Sequence, residues 1–167
     1  MQTYNLLATI HNYLIPRILP ALLTAALIGC STTPEFKPQI QTQQPDLVQY
    51  ALSLQGIPYR YGKETPEEGF DCSGFVKHVY GRYGILLPRS ASAMATVLPS
   101  ISQYDIRSGD LVFFNTSGKR YSHVGIFIND DKFIHAPSQR TGRVLVSNLN
   151  NSYWQKRFVG ARRPLLH

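Results

Sequence analysis

The chain has 167 residues, of which 43% are hydrophobic, 11% aromatic and 16% charged. These proportions fit one ordinary globular domain with an appendage, and they exclude a fibrous protein and a largely disordered one. The 17 Lys and Arg residues outnumber the 10 Asp and Glu residues, giving a net charge of +7, which would make nucleic acid a candidate partner if the chain stayed in the cytosol.

The first 29 residues predict a signal peptide. Residues 18–28 form an apolar run that is too short to span a bilayer as a mature helix but suits the hydrophobic region of a signal. The run ends in Gly29-Cys30, which resembles the cleavage site of bacterial lipoproteins, where the cysteine is acylated. An ordinary secretory signal with an unrelated cysteine nearby is the alternative.

Lipidation of Cys30 would tether the protein to a membrane in the cell envelope. Ser31 after the cysteine favours sorting to the outer membrane, facing the periplasm, if the cell is Gram-negative. The polyanions in that compartment are cell wall and lipid head groups, so we expect no nucleic-acid partner. The oligomeric state is left open by the sequence.

Residues 30–45 are rich in Thr, Pro and Gln, a composition typical of a flexible tether. The domain is therefore expected to comprise residues 46–167. Apolar residues recur at i, i+3, i+4 and i+7 across residues 46–55, which predicts a short amphipathic helix capped by Asp46 and ended by Gly56.

Residues 56–70 are rich in Gly, Pro, Glu and Tyr and predict a loop. Helical spacing returns directly after it and predicts a core-facing helix over residues 72–83, with Gly84 as its stop. An Asp directly before a helix is usually an N-cap, which is the role we expect for Asp71. Cys72 then lies in the first turn.

The second half of the domain favours strands. A further short helix is expected around residues 90–97, and beyond Gly109 the chain changes to brief β-branched and aromatic runs between turn residues. Helices followed by strands with short connections predict an α+β fold with an antiparallel sheet. The expected strands are residues 110–115, 123–128, 133–136, 143–147 and 157–163.

Cys72 is a candidate nucleophile. The two cysteines of the chain are Cys30 and Cys72. If Cys30 carries lipid, no cysteine is left to form an intramolecular disulfide with Cys72. A thiolate attacks carbonyls far better than a thiol does, and a helix N-terminus favours the anion. A small buried hydrophobe is the alternative role for Cys72.

A histidine base is expected on another element. His123 and His135 lie in two apolar runs joined by a turn at residues 129–131. If the runs pair as a hairpin, residues 123 and 135 have the same parity and project from one face, as a base and its orienting partner must. His78 is a poorer candidate because it lies six residues from Cys72 on the same helix. The absence of CxxC and HExxH motifs predicts no metal site.

Seven short stretches resemble the NlpC-type family of bacterial cell-wall peptidases, which have a compact papain-like fold. They occur in family order from about residue 46 to the end, so chance is an unattractive explanation. The stretches are 57–62 (IPYRYG), 71–76 (DCSGFV), 87–89 (LPR), 108–114 (SGDLVFF), 123–127 (HVGIF), 133–136 (FIHA) and 157–163 (RFVGARR).

The resemblance implies roles for individual residues. Cys72 would be the nucleophile, His123 the base and His135 the third polar residue, which agrees with the reasoning from chain position and parity. Tyr59 would hydrogen-bond at the oxyanion site, and ordinary loop packing is its alternative. Ser73 and Arg89 lie in matching stretches and are assigned with Tyr59 to oxyanion or substrate binding.

The resemblance also implies a reaction without a cofactor: hydrolysis of amide bonds in peptidoglycan peptides, either D-glutamyl to diaminopimelate or the D-alanyl cross-link. Departures from the family pattern at Lys63, Ala91 and Met94 affect the expected rim of the substrate site rather than the catalytic set. Two alternatives remain, a Cys-His amidase or acyltransferase on another amide or lipid, and a non-catalytic wall-binding lipoprotein.

Overall fold

The computed structural model describes residues 44–165, with side chains from residue 47 onward. The expected signal peptide, the lipidated Cys30 and nearly all of the tether lie outside the described residues. The helices are α1 (Gln44–Ser53), α2 (Cys72–Gly81), α3 (Ala91–Val97) and α4 (Ser152–Gln155). The strands are β1 (Glu64–Thr65), β2 (Gly69–Phe70), β3 (Ser100–Ile101), β4 (Leu111–Phe114), β5 (His123–Phe127), β6 (Lys132–His135), β7 (Leu145–Asn148) and β8 (Phe158–Arg162).

The first two helices form where the apolar spacing predicts them. Leu47, Val48 and Ala51 form the buried stripe of α1, and Leu54, directly after the helix, is buried as well. The helix begins at Gln44, so the expectation that Asp46 precedes the helix as its cap is wrong. Asp71 is the N-cap of α2, as expected, and its carboxylate accepts the backbone N–H of Gly74 at 2.7 Å.

The main sheet has six strands in the order β3-β8-β4-β5-β6-β7, and every neighbouring pair is antiparallel. All five expected strands are present within two residues of their predicted bounds. The sequence did not predict the short β1–β2 hairpin in the loop before Cys72, the edge strand β3 or the one-turn helix α4, because two to four residues are too few to show a period.

The sheet separates two apolar clusters. Alternate residues of β4 point to opposite faces, so Leu111 and Phe113 join the cluster formed with α1, α2 and α3, whereas Phe114 joins a cluster with Phe133 and Trp154. This arrangement covers both faces of the central strands and brings the N-terminus of α2 against β5. Within residues 44–165 no helix is both long and apolar enough to cross a membrane.

Candidate active site

Cys72 opens helix α2 and lines a cleft of about 520 Å³. The backbone N–H groups of Val124 and Ser73 lie close enough to its sulfur to favour the thiolate and act to lower the pKa of the thiol. Val124 directly follows His123, and His123 also lines the cleft. The packing of α2 on β5 therefore brings together a thiol and an imidazole that are 51 positions apart in the sequence.

The environment of Cys72 raises the pKa of its thiol to about 11, chiefly through burial and next through the charge of Asp71. The N–H donors of Val124 and Ser73 act in the opposite direction but are outweighed. The helix start favours the thiolate, but burial outweighs it, because removing a thiolate from water costs more free energy than these donors return.

His123 and His135 project from one face of the sheet, as their parity predicts. Strands β5 and β6 pair with Ile126 opposite Ile134, and the same register puts His135 across from Gly125 and diagonal to His123. The His123 Nε2 and His135 Nδ1 atoms lie 2.7 Å apart in a hydrogen bond. Trp154 packs against both rings on this face.

Ser147 on β7 extends this pair into a chain of three side chains. The His135 Nε2 and Ser147 Oγ atoms are 2.9 Å apart. If Nδ1 of His123 is free of a proton, Nε2 of His123 donates to Nδ1 of His135, and Nε2 of His135 donates to Ser147. Donation in the opposite direction, from Ser147 through His135 to His123, fits the same distances, but only the first direction leaves the lone pair of His123 on Nδ1, the form in which Nδ1 acts as a base.

Burial keeps both imidazoles neutral. It lowers the pKa of His123 to about 3 and, together with the nearby His123, lowers the pKa of His135 well below its usual value. At neutral pH the cleft thus holds a neutral thiol beside a neutral imidazole. Such a pair attacks a carbonyl with transfer of the thiol proton to the imidazole, rather than from a preformed ion pair.

Tyr59 lines the same cleft as Cys72. Burial first, and then the charges of Cys72 and Asp71, raise the pKa of its hydroxyl, which keeps the group protonated. The backbone of Tyr59 is held by a hydrogen bond from its N–H to the carbonyl of Gly142, 2.8 Å long. A protonated phenol beside a nucleophile can donate to a developing oxyanion.

Ser73 and Arg89 also line the cleft, but their polar atoms bind Asp71. Arg89 donates to both carboxylate oxygens of Asp71 at 2.9 and 2.6 Å and to the hydroxyl of Ser73 at 3.0 Å. Its third nitrogen lies 3.0 Å from Glu64, which also pairs with Lys77. Burial opposes ionisation of Asp71, but the bonds from Arg89, Gly74 and Gly62 prevail and lower its pKa.

These ion pairs hold the loop before Cys72 onto helix α2. Asp71 caps the helix while it also accepts the N–H of Gly62 at 2.9 Å. Sequence reasoning missed Glu64 and Lys77, because the partners of a surface charge are decided by tertiary packing. Ser147 was missed as well, although the parity argument used for His135 extends to the next strand.

His78 lies elsewhere, as its position on α2 predicts. Its Nε2 atom is 2.8 Å from the hydroxyl of Tyr50, and its ring packs against Phe70. It borders a separate cavity of about 710 Å³ together with Arg82 and Leu86. His78 therefore does not line the Cys72 cleft.

Comparison with known proteins identifies the family. The model of the NlpC/P60 family matches residues 56–163. The chain belongs to the NlpC/P60 family. The resemblance that the seven short stretches indicate is therefore confirmed, and so is the α+β, papain-like fold.

Individual NlpC/P60 relatives differ in how much of their length is matched. The chain is 40% identical to the probable endopeptidase NlpC of Escherichia coli over 150 residues, covering 85% of this chain and 96% of that protein. It is 42% identical to the murein DD-endopeptidase MepH of Escherichia coli over 115 residues, covering 66% of this chain and 42% of MepH. The chain spans less than two thirds of the length of most of the curated relatives it matches.

Among solved structures, the chain is similar to an NlpC/P60 family protein from Bacillus cereus. The TM-score is 0.68 with 30% sequence identity, and the match covers 73% of this chain and 40% of that chain.

Proposed function

We propose that this NlpC/P60 protein is a peptidoglycan endopeptidase with Cys72 as nucleophile, His123 as base and His135 as the group that orients the base. The observation that carries the proposal is the hydrogen-bonded chain of His123, His135 and Ser147, in which His123 lines the same cleft as Cys72. Further support comes from the relatives named as endopeptidases, NlpC and MepH.

The first half of the reaction forms an acyl-enzyme. The sulfur of Cys72 attacks the carbonyl carbon of a peptide bond while its proton passes to Nδ1 of His123. The C–N bond then breaks, and His123 returns this proton to the departing amine. When His123 donates through Nε2 to His135, and His135 donates to Ser147, the lone pair of His123 stays on Nδ1.

The second half releases the acid. Water attacks the thioester, its proton goes to His123, and the C–S bond breaks as the Cys72 sulfur recovers a proton. No cofactor is required in either half. The chemistry is an ordinary acyl transfer through a thioester.

Two donors suit the oxyanion of each tetrahedral intermediate. As the first residue of α2, Cys72 has a backbone N–H without an intrahelical acceptor. The protonated hydroxyl of Tyr59 is the second donor. We propose that Ser73 and Arg89 contribute by holding Asp71, and thereby the helix start and the rim of the substrate site, since their polar atoms are engaged there.

The proposed substrates are stem or cross-link peptides of peptidoglycan. The scissile bond is either D-glutamyl–diaminopimelate or D-alanyl–diaminopimelate, and the name of MepH, a DD-endopeptidase, favours the second. Both bonds release an amine of diaminopimelate, so the reaction above applies unchanged to either.

The envelope location is part of the same proposal. Residues 1–29 serve as a signal peptide, Cys30 carries the lipid anchor, and residues 30–45 tether the peptidase domain, residues 46–167, to an outer membrane from the periplasmic side.

Digestion of purified muropeptides, analysed by mass spectrometry, tests the activity. We expect the full chain to release diaminopimelate-containing fragments, and Cys72→Ala and His123→Gln to release none above background. His78→Gln is the matched control because it changes the same residue type in the same domain outside the cleft, and it should retain activity.

Other outcomes distinguish the alternatives. Equal digestion by Cys72→Ala and the unaltered chain would contradict the proposed nucleophile. Absence of digestion by a folded, unaltered chain that still binds peptidoglycan would favour a non-catalytic wall-binding lipoprotein. Cleavage of other amides or acyl transfer to lipid, without muropeptide digestion, would favour the amidase or acyltransferase.

A further inference from the structure

A second cavity adjoins the Cys72 cleft and takes no part in the reaction described above. Its volume is about 510 Å³. Thr116 and Pro137 line both the cleft and this cavity, so the two hollows meet at these residues. His135 and Ser147 form part of the wall of the second cavity, which therefore lies beside the histidine chain.

The location of the cavity indicates which half of a substrate it faces. His123 returns the proton to the departing amine, so the amine leaves from the histidine side of the cleft. Tyr59 and Arg89 line the cleft but not the second cavity. A substrate whose acyl half lies between these residues and Cys72 extends its leaving half past Pro137 into the second cavity.

The lining of the second cavity suits an anion. Arg140 is its one cationic lining residue in the part of the chain that the structure describes, and no Asp or Glu lines it there. Arg140 is exposed and has no hydrogen bond or ion pair within the described residues. An unpaired guanidinium in a concave site is a ready partner for a carboxylate.

The loop that carries Arg140 is held in a compact turn. The hydroxyls of Ser138 and Thr141 lie 3.2 Å apart, and the N–H of Gly142 donates to the carbonyl of Ser138 at 2.9 Å. Tyr153, which is 45% exposed, lines the same cavity and contributes aromatic surface beside Trp154. A short carbon chain with a carboxylate would contact both the ring and the guanidinium.

We propose that the second cavity is the subsite for the leaving half of the substrate and that Arg140 pairs with a free carboxylate of the leaving unit. This inference rests on the proposed endopeptidase function, in which the leaving half is a diaminopimelyl unit. The free carboxylate of that diamino acid is the anion, and Arg140 thus discriminates between leaving groups with a free carboxylate and those in which it is amidated.

The test compares two defined peptides that differ only in a free or an amidated carboxylate on the leaving diamino acid. Loss of one partly exposed charge-assisted pair predicts that Arg140→Gln lowers kcat/KM for the free acid about tenfold, mainly through KM. The unaltered chain should prefer the free acid, whereas Arg140→Gln should cleave both peptides alike. Arg140→Lys should retain part of the preference.

Arg143→Gln is the matched control, since it removes the same charge three residues away without touching the cavity lining. Equal cleavage of both peptides by the unaltered chain, with no change in Arg140→Gln, would overturn the subsite and leave the endopeptidase function standing. Cleavage of neither peptide would count against the proposed function.

A binding measurement keeps the subsite testable without turnover. Calorimetric titration of Cys72→Ala with the released diaminopimelyl fragment should give weaker binding when Arg140→Gln is added. The amidated fragment should show no such difference. Equal affinity of the two fragments for Cys72→Ala would overturn the subsite.

Discussion

Replacing Ser147 with Ala tests whether the histidine chain selects the tautomer of the base. The change removes a hydroxyl oxygen that lies 2.9 Å from Nε2 of His135. His135 has no solvent-exposed surface, so its N–H loses the partner that holds it in the unaltered chain. The variant either leaves this donor unpaired or moves the proton of His135 to Nδ1.

The magnitude follows from the cost of each option. A buried donor without a partner costs about 1–3 kcal/mol. In the second option, Nδ1 of His135 and Nε2 of His123 would both carry a proton and repel each other. The proton of His123 then moves to its own Nδ1, and that nitrogen can no longer accept the proton of Cys72. Since 1.36 kcal/mol corresponds to a tenfold change, we expect kcat to fall about tenfold to a hundredfold.

Steady-state kinetics on one defined muropeptide measures this effect. Ser147→Thr keeps the hydroxyl on a strand residue and should restore most of kcat. A thermal melt of both variants separates positioning from loss of fold. If Ser147→Ala stays folded and its kcat is within a factor of two of that of the unaltered protein, the hydrogen bonds between His123, His135 and Ser147 do not control the tautomer of His123.

Two further predictions follow from the geometry of the cleft. A Cβ added at Gly125 would stand 2.7 Å from the ring of Phe133 and 3.1 Å from Cβ of His135. Gly125→Ala should therefore shift β6 and destabilise the fold by about 1–3 kcal/mol. Because the shift moves His135, activity should fall further than this loss of stability accounts for. Gly81→Ala, where a Cβ meets no atom within 4 Å, is the control and should stay active. The pKa of Cys72 is about 11, so the fraction of thiolate, the form that reacts, rises about tenfold per pH unit well below that value. The rate of alkylation of Cys72 by iodoacetamide, measured in a variant whose other cysteine is replaced, should therefore rise about tenfold per pH unit from pH 6 to 9. A rate that levels off near pH 7 would contradict a neutral resting thiol.

The local features of the site could be predicted from the sequence because they depend on neighbouring residues. An Asp before a helical period predicts an N-cap, and Asp71 is one. Two apolar runs around a short turn predict a hairpin, and the parity of residues 123 and 135 then places both imidazoles on one face. The seven family stretches agreed with Cys72, His123 and His135 as the expected catalytic residues and added Tyr59.

Charge pairing and protonation could not be predicted in this way. Arg89 lies 18 residues after Asp71, and the bidentate pair between them exists because the segment before α3 folds back onto the start of α2. The pKa of Cys72 depends mainly on how much water the surrounding packing removes, which no local pattern encodes.

Sequence by itself therefore determined the longer helices and strands, where Cys72 lies on its helix and which histidines share a face, since these follow from periodicity and short-range chemistry. Only the tertiary structure decided that Ser147 completes the histidine chain, that Cys72 and His123 are neutral, and that a cavity carrying Arg140 adjoins the cleft. The physical reason is that desolvation, hydrogen-bond partners and concave surfaces are created by segments distant in sequence packing together.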